Sequence, residues 1–145
     1  MSTQPIQDAL QALAIFQQLD DSERTYLAQH ATQHTFAANE VIIKEGDQVQ
    51  AMYLIRQGVV RVSTSAMKRE VELKKLGTGS YFGEVSVLSG KTATATVTAY
   101  DNEVVTIAVA REALNELIQN NAEFRKTLEG VTLARAKDTI SKVLK

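Results

Sequence analysis

The residues best suited to chemistry lie between Leu76 and Ala99, in the stretch LGTGSYFGEVSVLSGKTATATVTA. An apolar run ends there at closely spaced glycines, and a helical turn is expected to begin near Gly83. The first turn of a helix has backbone N–H groups without intrahelical partners, so it can receive an anion. Gly83 lets a ligand approach closely, the donors near Val85 and Ser86 point at it, and Glu84 stands beside it. The plainer alternative is a tight turn with ordinary capping, with Glu84 favoured at a helix start by the macrodipole. Two commoner phosphate motifs fail on spacing. The dinucleotide fingerprint GxGxxG begins at Gly77 and Gly79 but needs glycine where Phe82 stands, and the GKT of Gly90, Lys91 and Thr92 lacks the Walker glycine, which falls on Val85.

Other candidates for chemistry are weaker. His30 and His34 are four apart and are expected to share a helical face, yet Ala31 replaces the glutamate of HExxH and no cysteine can complete a zinc set. They are read as surface or packing residues, and no metal site is expected. Serines and threonines are numerous, but there is no GxSxG elbow, and the only two histidines are both expected outside the roll. No catalytic residue is assigned, and the chain is not read as an enzyme.

The elements that must position the cradle fall into three zones. Ile6, Ala9, Leu10, Leu13 and Phe16 recur at helical spacing after Pro5. Asp20 and Glu23 form a capping-box pair, which predicts a second helix through Tyr26 and Leu27 that fades near His34. From Phe36 to Val109 the chain turns to short β-branched runs: Val41–Lys44, Met52–Arg56, Val59–Ser63, Val71–Leu76, Thr94–Ala99 and Val104–Val109 read as strands. No helix-sized gaps separate them, so the expected fold is mainly β with flanking helices, an antiparallel roll or jelly roll. Leu114, Leu117 and Ile118 mark a short helix, Asn120 and Asn121 a break, and Phe124, Leu128 and Val131 the start of a last helix. Gly130 is a weak point in it, and Leu133, Ala136, Ile140 and Val143 form a second, offset stripe for a partner or a second copy. The expected organisation is one domain over 1–145, with helices at 1–34, the roll at 35–109 and helices at 110–145.

Composition narrows the class. The 145 residues are 44% hydrophobic, enough for one core. The 16 basic and 17 acidic side chains nearly cancel, so no field draws the chain to nucleic acid. The absence of cysteine suits a reducing compartment, and no leader or membrane-spanning run is legible, which makes the cytoplasm the expected location. After the last helix there is no room before Lys145 for a helix-turn-helix, so no output module is recognised, and completeness stays open. The segment from Asn121 to Lys145 carries six basic and three acidic side chains and is read as a solvated face.

The cradle resembles that of the cyclic-nucleotide-binding domain, the sensor of kinase regulatory subunits, gated channels and catabolite-activator-type regulators. The likeness rests on Phe82-Gly83-Glu84, Ala95-Thr96-Val97, Glu45-Gly46-Asp47, Met52-Tyr53-Leu54-Ile55 and Gly58, with helices on both sides of the roll. It implies cAMP or cGMP as ligand, no further cofactor, and a C-terminal helix acting as lid over the base. Glu84 would accept from the ribose 2′-hydroxyl, while Gly83, Val85 and Ser86 would donate to the cyclic phosphate. Val62, Val71, Leu73 or Leu76 would meet the base if they are not plain core, and Phe124, Leu128 and Val131 would pack the lid on the roll. The family places an arginine nine residues after the glutamate, where this chain has Ala93. Lys91 is expected to face solvent, and Thr94 either offers a hydroxyl to the ligand, favouring guanine, or is an ordinary strand residue. Val49, where glycine is common, is expected to alter a turn only. The resemblance thus leaves a sensor of weakened affinity and a degenerate pseudo-sensor kept as an interaction module.

Overall fold

The structure is a computed structural model that describes Ile6, Leu10, residues 16–66 and residues 68–143. Its elements are α1 (Asp21–Gln29), β1 (Ala31–Phe36), β2 (Val41–Ile43), β3 (Ala51–Gln57), β4 (Val60–Ala66), β5 (Arg69–Leu76) and β6 (Tyr81–Phe82). They continue with α2 (Glu84–Ser89), β7 (Thr96–Ala99), β8 (Val104–Ala110), α3 (Arg111–Asn120) and α4 (Ala122–Val143). Ile6 and Leu10 are helical, while Pro5, Ala9 and Leu13 of the expected first helix lie outside the described residues.

Alternation along the strands dictates the layering. In β3, Met52 and Leu54 join the helices Phe16, Leu27, Leu114 and Phe124 come from, whereas Ile55 joins Val60, Val62, Val97 and Val104. In β8, Ile107 and Val109 likewise face the helices while Val104 faces the other way. A strand buried on both faces must be apolar at nearly every position, and β3 and β8 are. They pair in a four-stranded antiparallel sheet ordered β1-β8-β3-β6. A second antiparallel sheet, ordered β2-β7-β4-β5, closes the other side. One of its faces is wet: Arg61 bridges Glu70 and Glu72 there, between the buried Val60 and Val62. The fold is therefore the expected roll of antiparallel strands with flanking helices.

The expected strands shift at their ends by one to three residues, β7 starting at Thr96 and not at Thr94, and two further strands, β1 and β6, stand outside the sequence reading. Helix α1 starts as expected, with Asp20 accepting from the Glu23 N–H at 2.8 Å and Glu23 accepting from the Asp20 N–H at 3.0 Å. It ends at Gln29, not near His34, because Ala31–Phe36 pairs along the whole of β8. The four central residues of β1 are exposed, so no apolar alternation announces the strand. His34 is thus on a strand and shares no helical face with His30: one bonds Thr32 Oγ1, the other the Tyr26 carbonyl. Strand β6 was not read either, being two residues held only by pairing with Tyr53 and Leu54.

The last helix begins where Asn121 accepts from the Phe124 N–H at 3.0 Å. Phe124 and Leu128 are fully buried in the helix-side core, and Val131 packs at its edge. These residues join a core that α4 shares with the other helices and with Met52, Leu54, Ile107 and Val109 of the roll, and the Phe16 and Phe124 ring centres are 5.7 Å apart. Gly130 does not interrupt the helix. Of the offset stripe, Leu133 is 58% exposed, and the side chains of Ala136, Ile140 and Val143 lie outside those described. Replacing a fully buried phenylalanine by alanine costs about 3–5 kcal/mol. Phe124→Ala is expected to lower stability by that amount in urea unfolding followed by circular dichroism.

Candidate functional site

The cradle is built where β6 meets α2. Gly83 caps α2 with φ of +92°, and a Cβ there would fall 2.9 Å from the Ala51 carbonyl oxygen. Only glycine combines that backbone angle with that approach, so Gly83 is what seats α2 against β3. The turn that follows carries Glu84, Ser86 and Val87 into the interior.

The far side of the cradle is pinned by Glu45-Gly46-Asp47. The Gly46 N–H donates to the Ala93 carbonyl and the Ala93 N–H to the Asp47 carbonyl, both at 2.9 Å. The Glu45 carboxylate accepts from Thr64 Oγ1 at 2.9 Å and from the Ser65 N–H at 3.0 Å, and its own N–H donates to Thr96 Oγ1 at 3.0 Å. This motif is therefore a clasp that fixes the backbone at position 93. The Ala93 side chain is buried and carries no charge to what it faces.

Between these two edges lies an open pocket with a cavity volume of about 90 Å³. Phe82, Gly83, Glu84, Val85 and Ser86 line one side, Ala93 and Thr94 another, and Val62, Leu73 and Leu76 the sheet wall. Val71, expected with them, is not in the lining and packs at the edge of the inter-sheet core. Lys91 is exposed, as expected of a turn lysine.

Six lining residues escaped the sequence reading: Ile43, Val49, Lys74, Ala95, Val97 and Arg135. Val49 was expected to alter only a turn; it is 3% exposed and its methyl lies 3.5 Å from where a Gly83 Cβ would be, so it is wall. Lys74 enters through an irregularity in pairing. The register shifts between Val62, opposite Lys74, and Ser63, opposite Glu72, and at this bulge the neighbours Leu73 and Lys74 both line the pocket. Arg135 arrives from α4. It stands four residues beyond Val131 on the face that holds Phe124 and Leu128, which is the one sequence signal that it points inward.

Arg135 and Glu84 form the electrostatic centre of the pocket. Glu84 is 1% exposed. Its Oε1 accepts from Arg135 Nη1 at 2.5 Å, while Nη2 donates to the Tyr81 carbonyl at 2.9 Å and the guanidinium lies 4.6 Å from the Tyr81 ring centre. Glu84 Oε2 is buried and has no partner among the described residues, a state that typically costs about 1–3 kcal/mol. Burial pushes the Glu84 carboxyl above its usual range; Arg135, the local backbone and Lys74 pull it down without cancelling that push. The arrangement offers a charged acceptor to a hydroxyl or N–H donor, next to a short helix start and an uncharged position 93. No group of residues able to hold a metal ion occurs among the described residues. No described helix is long and apolar enough to cross a membrane.

Known proteins with this architecture bear on the site. The family described as the cyclic nucleotide-binding domain matches residues 33–121. Human cGMP-dependent protein kinase 2 is 26% identical over 123 residues, covering 83% of this chain and 16% of that protein, so the chain spans about a sixth of its relative's length. The sensor domain of the transcriptional regulator DNR from Pseudomonas aeruginosa superposes with a TM-score of 0.81 at 16% identity, covering 99% of this chain and 96% of that one. The regulatory subunit of a cAMP-independent protein kinase A from Trypanosoma brucei, solved as a triple mutant bound to cAMP, gives 0.70 at 22% identity over 83% of this chain and 47% of that one. One of its three substitutions introduces an arginine in place of threonine. With its two antiparallel sheets, its Gly83–Glu84 cradle and a match running from within β1 to the start of α4, the chain belongs to the cyclic nucleotide-binding domain family.

Proposed function

We propose that the chain acts as one ligand-sensing regulatory domain that binds a cyclic nucleotide, cAMP or cGMP, in the pocket between the 82–97 segment and the wall of β4 and β5. The observation that carries this reading is Glu84, a residue of the pocket lining with one carboxylate oxygen paired and the other buried without a partner among the described residues. A carboxylate is an acceptor only, and a ribose hydroxyl is the donor that would complete it. Gly83, Val85 and Ser86 would turn backbone donors to the cyclic phosphate, Phe82, Val62, Leu73 and Leu76 would enclose the sugar and base, and Thr94 would face the ligand from the mouth. Helix α4 is the lid, docked on α2 and β5. A ligand shifts such a lid only by its differential affinity for the docked and undocked states. The domain regulates through that shift and has no catalytic role; its setting is the cytoplasm.

Ala93 sets the strength of binding. Removing one partner from a desolvated charge pair costs about 2–5 kcal/mol, or roughly thirty-fold to a few thousand-fold in affinity.

Calorimetric titration with cAMP and cGMP tests the reading: saturable heat in the micromolar to millimolar range is expected. No heat and no thermal stabilisation at millimolar nucleotide would reject it in favour of a pseudo-sensor kept for protein contacts. Ala93→Arg is expected to tighten binding by at least about thirty-fold, the lower end of the range for a charge pair, because its backbone is already clasped in place. Affinity should also depend on pH. Ionised Glu84 is the stronger acceptor, and burial raises its carboxyl above the usual range, so affinity is highest above that raised value and weakens as pH falls through it. Titrations between pH 8 and 5 should show weakening on acidification in the native protein and a flat profile in Glu84→Gln.

A further inference from the structure

Among the described residues each sheet is open, with edges at β1 and β6 in one and at β2 and β5 in the other. An edge strand shows solvent a row of unpaired N–H and C=O groups, and proteins blunt such a row with shortness, bulges or charge. Three of these edges are blunted. β6 is two residues long, β2 has three residues and a break in register, and β5 combines a break in register with Arg69, Glu70, Glu72, Lys74 and Lys75. β1 has none of these protections. Its six residues, Ala31–Phe36, include no lysine, arginine, aspartate, glutamate or proline, pair with β8 without a break, and are exposed from Thr32 to Thr35.

The pairing with β8 settles which backbone groups of β1 face away from the sheet. The His30 carbonyl accepts from the Ala110 N–H at 3.0 Å and the His34 carbonyl from Thr106 Oγ1 at 3.2 Å, so the even-numbered residues turn their backbone to β8. Ala31, Gln33 and Thr35 therefore present theirs outward. The next outward N–H, that of Ala37, is taken by the Glu40 carboxylate at 3.0 Å, which closes the edge after Thr35.

We propose that β1 is a self-pairing edge, through which two copies of this chain join as an antiparallel β1–β1 pair about a two-fold axis at Gln33. In that register Gln33 faces Gln33 of the second copy and Ala31 faces Thr35 on either side, so every outward residue exchanges both of its backbone bonds. A slip of two residues either way leaves an outward residue of each strand without a full partner. The side chains suit the same register: Thr32 meets His34 of the second copy on one face, and Gln33 meets its equivalent on the other. These are hydrogen-bonding pairs with no carboxylate or lysine among them. The cation held at the axis is Arg56, whose Nη1 donates to Gln33 Oε1 at 2.8 Å, and two such guanidiniums keep the association weak. A foreign strand would meet the same backbone row, but β1 offers it neither charge nor an apolar pocket, whereas its own sequence matches it side by side. The four-stranded sheets of two copies thus merge into one of eight, with β6 and the Gly83 turn at its far ends. No residue of β1 lines the pocket, so joining leaves both pockets free to bind.

Sedimentation velocity on the purified chain, from micromolar to millimolar concentration and without nucleotide, measures the association. A single strand pair is smaller than a standard interface, so the native protein is expected to dimerise with a dissociation constant of roughly 0.1–1 mM. Gln33→Pro removes an outward N–H and leaves the ladder to β8 intact, since proline is tolerated on the solvent side of an edge strand. Gln33→Lys sets two cations face to face at the axis. Each should weaken dimerisation at least about tenfold while thermal unfolding stays close to native, and the lysine variant serves if the proline one does not fold. Amide NMR shifts that grow with concentration should be largest at Gln33 and Thr35. Leu133→Lys, on the exposed stripe of α4, should dimerise as the native chain does. A native chain that stays monomeric at millimolar concentration overturns the proposal and leaves the edge to a foreign strand. Dimerisation that both Gln33 variants retain also overturns it, and its loss in Leu133→Lys alone would move the contact to α4.

Discussion

The contact between Gly83 and the carbonyl of Ala51 is the constraint on which the site depends. A side chain at position 83 would collide with β3, and α2 would have to lift away. With glycine, α2 lies against the sheet, and its first residue is carried out of water. That residue is a glutamate. A buried carboxylate needs a cation or a proton, and the structure supplies Arg135 from a helix fifty-one residues further along the chain. The position of α4 and the charge state of the pocket are thus two aspects of one interaction.

The other side of the pocket is held by hydrogen bonds that carry no recognition of their own. Glu45, Gly46 and Asp47 tie together β4, β7 and the turn at Ala93 through backbone groups and two hydroxyls. In a motif that looks acidic and available in the sequence, the Glu45 carboxylate and the backbone are engaged in holding the fold. Its consequence is a rigid frame around a residue with no charge, so the character of the site is set by Glu84 and Arg135 together, and by Lys74 at the wall.

Much of this was legible in the chain because local chemistry and global fold agree. The capping box at Asp20 and Glu23, the break at Asn121, and the alternation that puts Val60 and Val62 inside with Arg61 outside all emerge from short-range rules, and the structure follows them. The cradle was visible for the same reason: glycine spacing and the residues after Gly83 lie within one short segment. Ten of the eleven expected site residues meet in one pocket, Val71 being the exception. What was missed lacks a local signature. β1 has an exposed, polar centre and is a strand only because β8 offers it an edge; β6 is two residues long; Lys74 turns inward because one residue of β5 is out of register. Val49 looked like a loop substitution and became wall because the loop folds back over the cradle.

The sequence by itself determined that strands would alternate into a roll, that a glycine turn would present Glu84, and that position 93 would lack an arginine, since each of these is a matter of residue type at short spacing. Whether Glu84 would be buried, and what would neutralise it, was decided only by the tertiary structure. A charge buries or pairs according to what surrounds it in space, and the residue that answers Glu84 is an arginine whose spacing from Phe124 and Leu128 puts it on the inward face of α4 without naming its partner. Folding brings α4 across α2, and that contact turns a surface residue into the partner of the pocket.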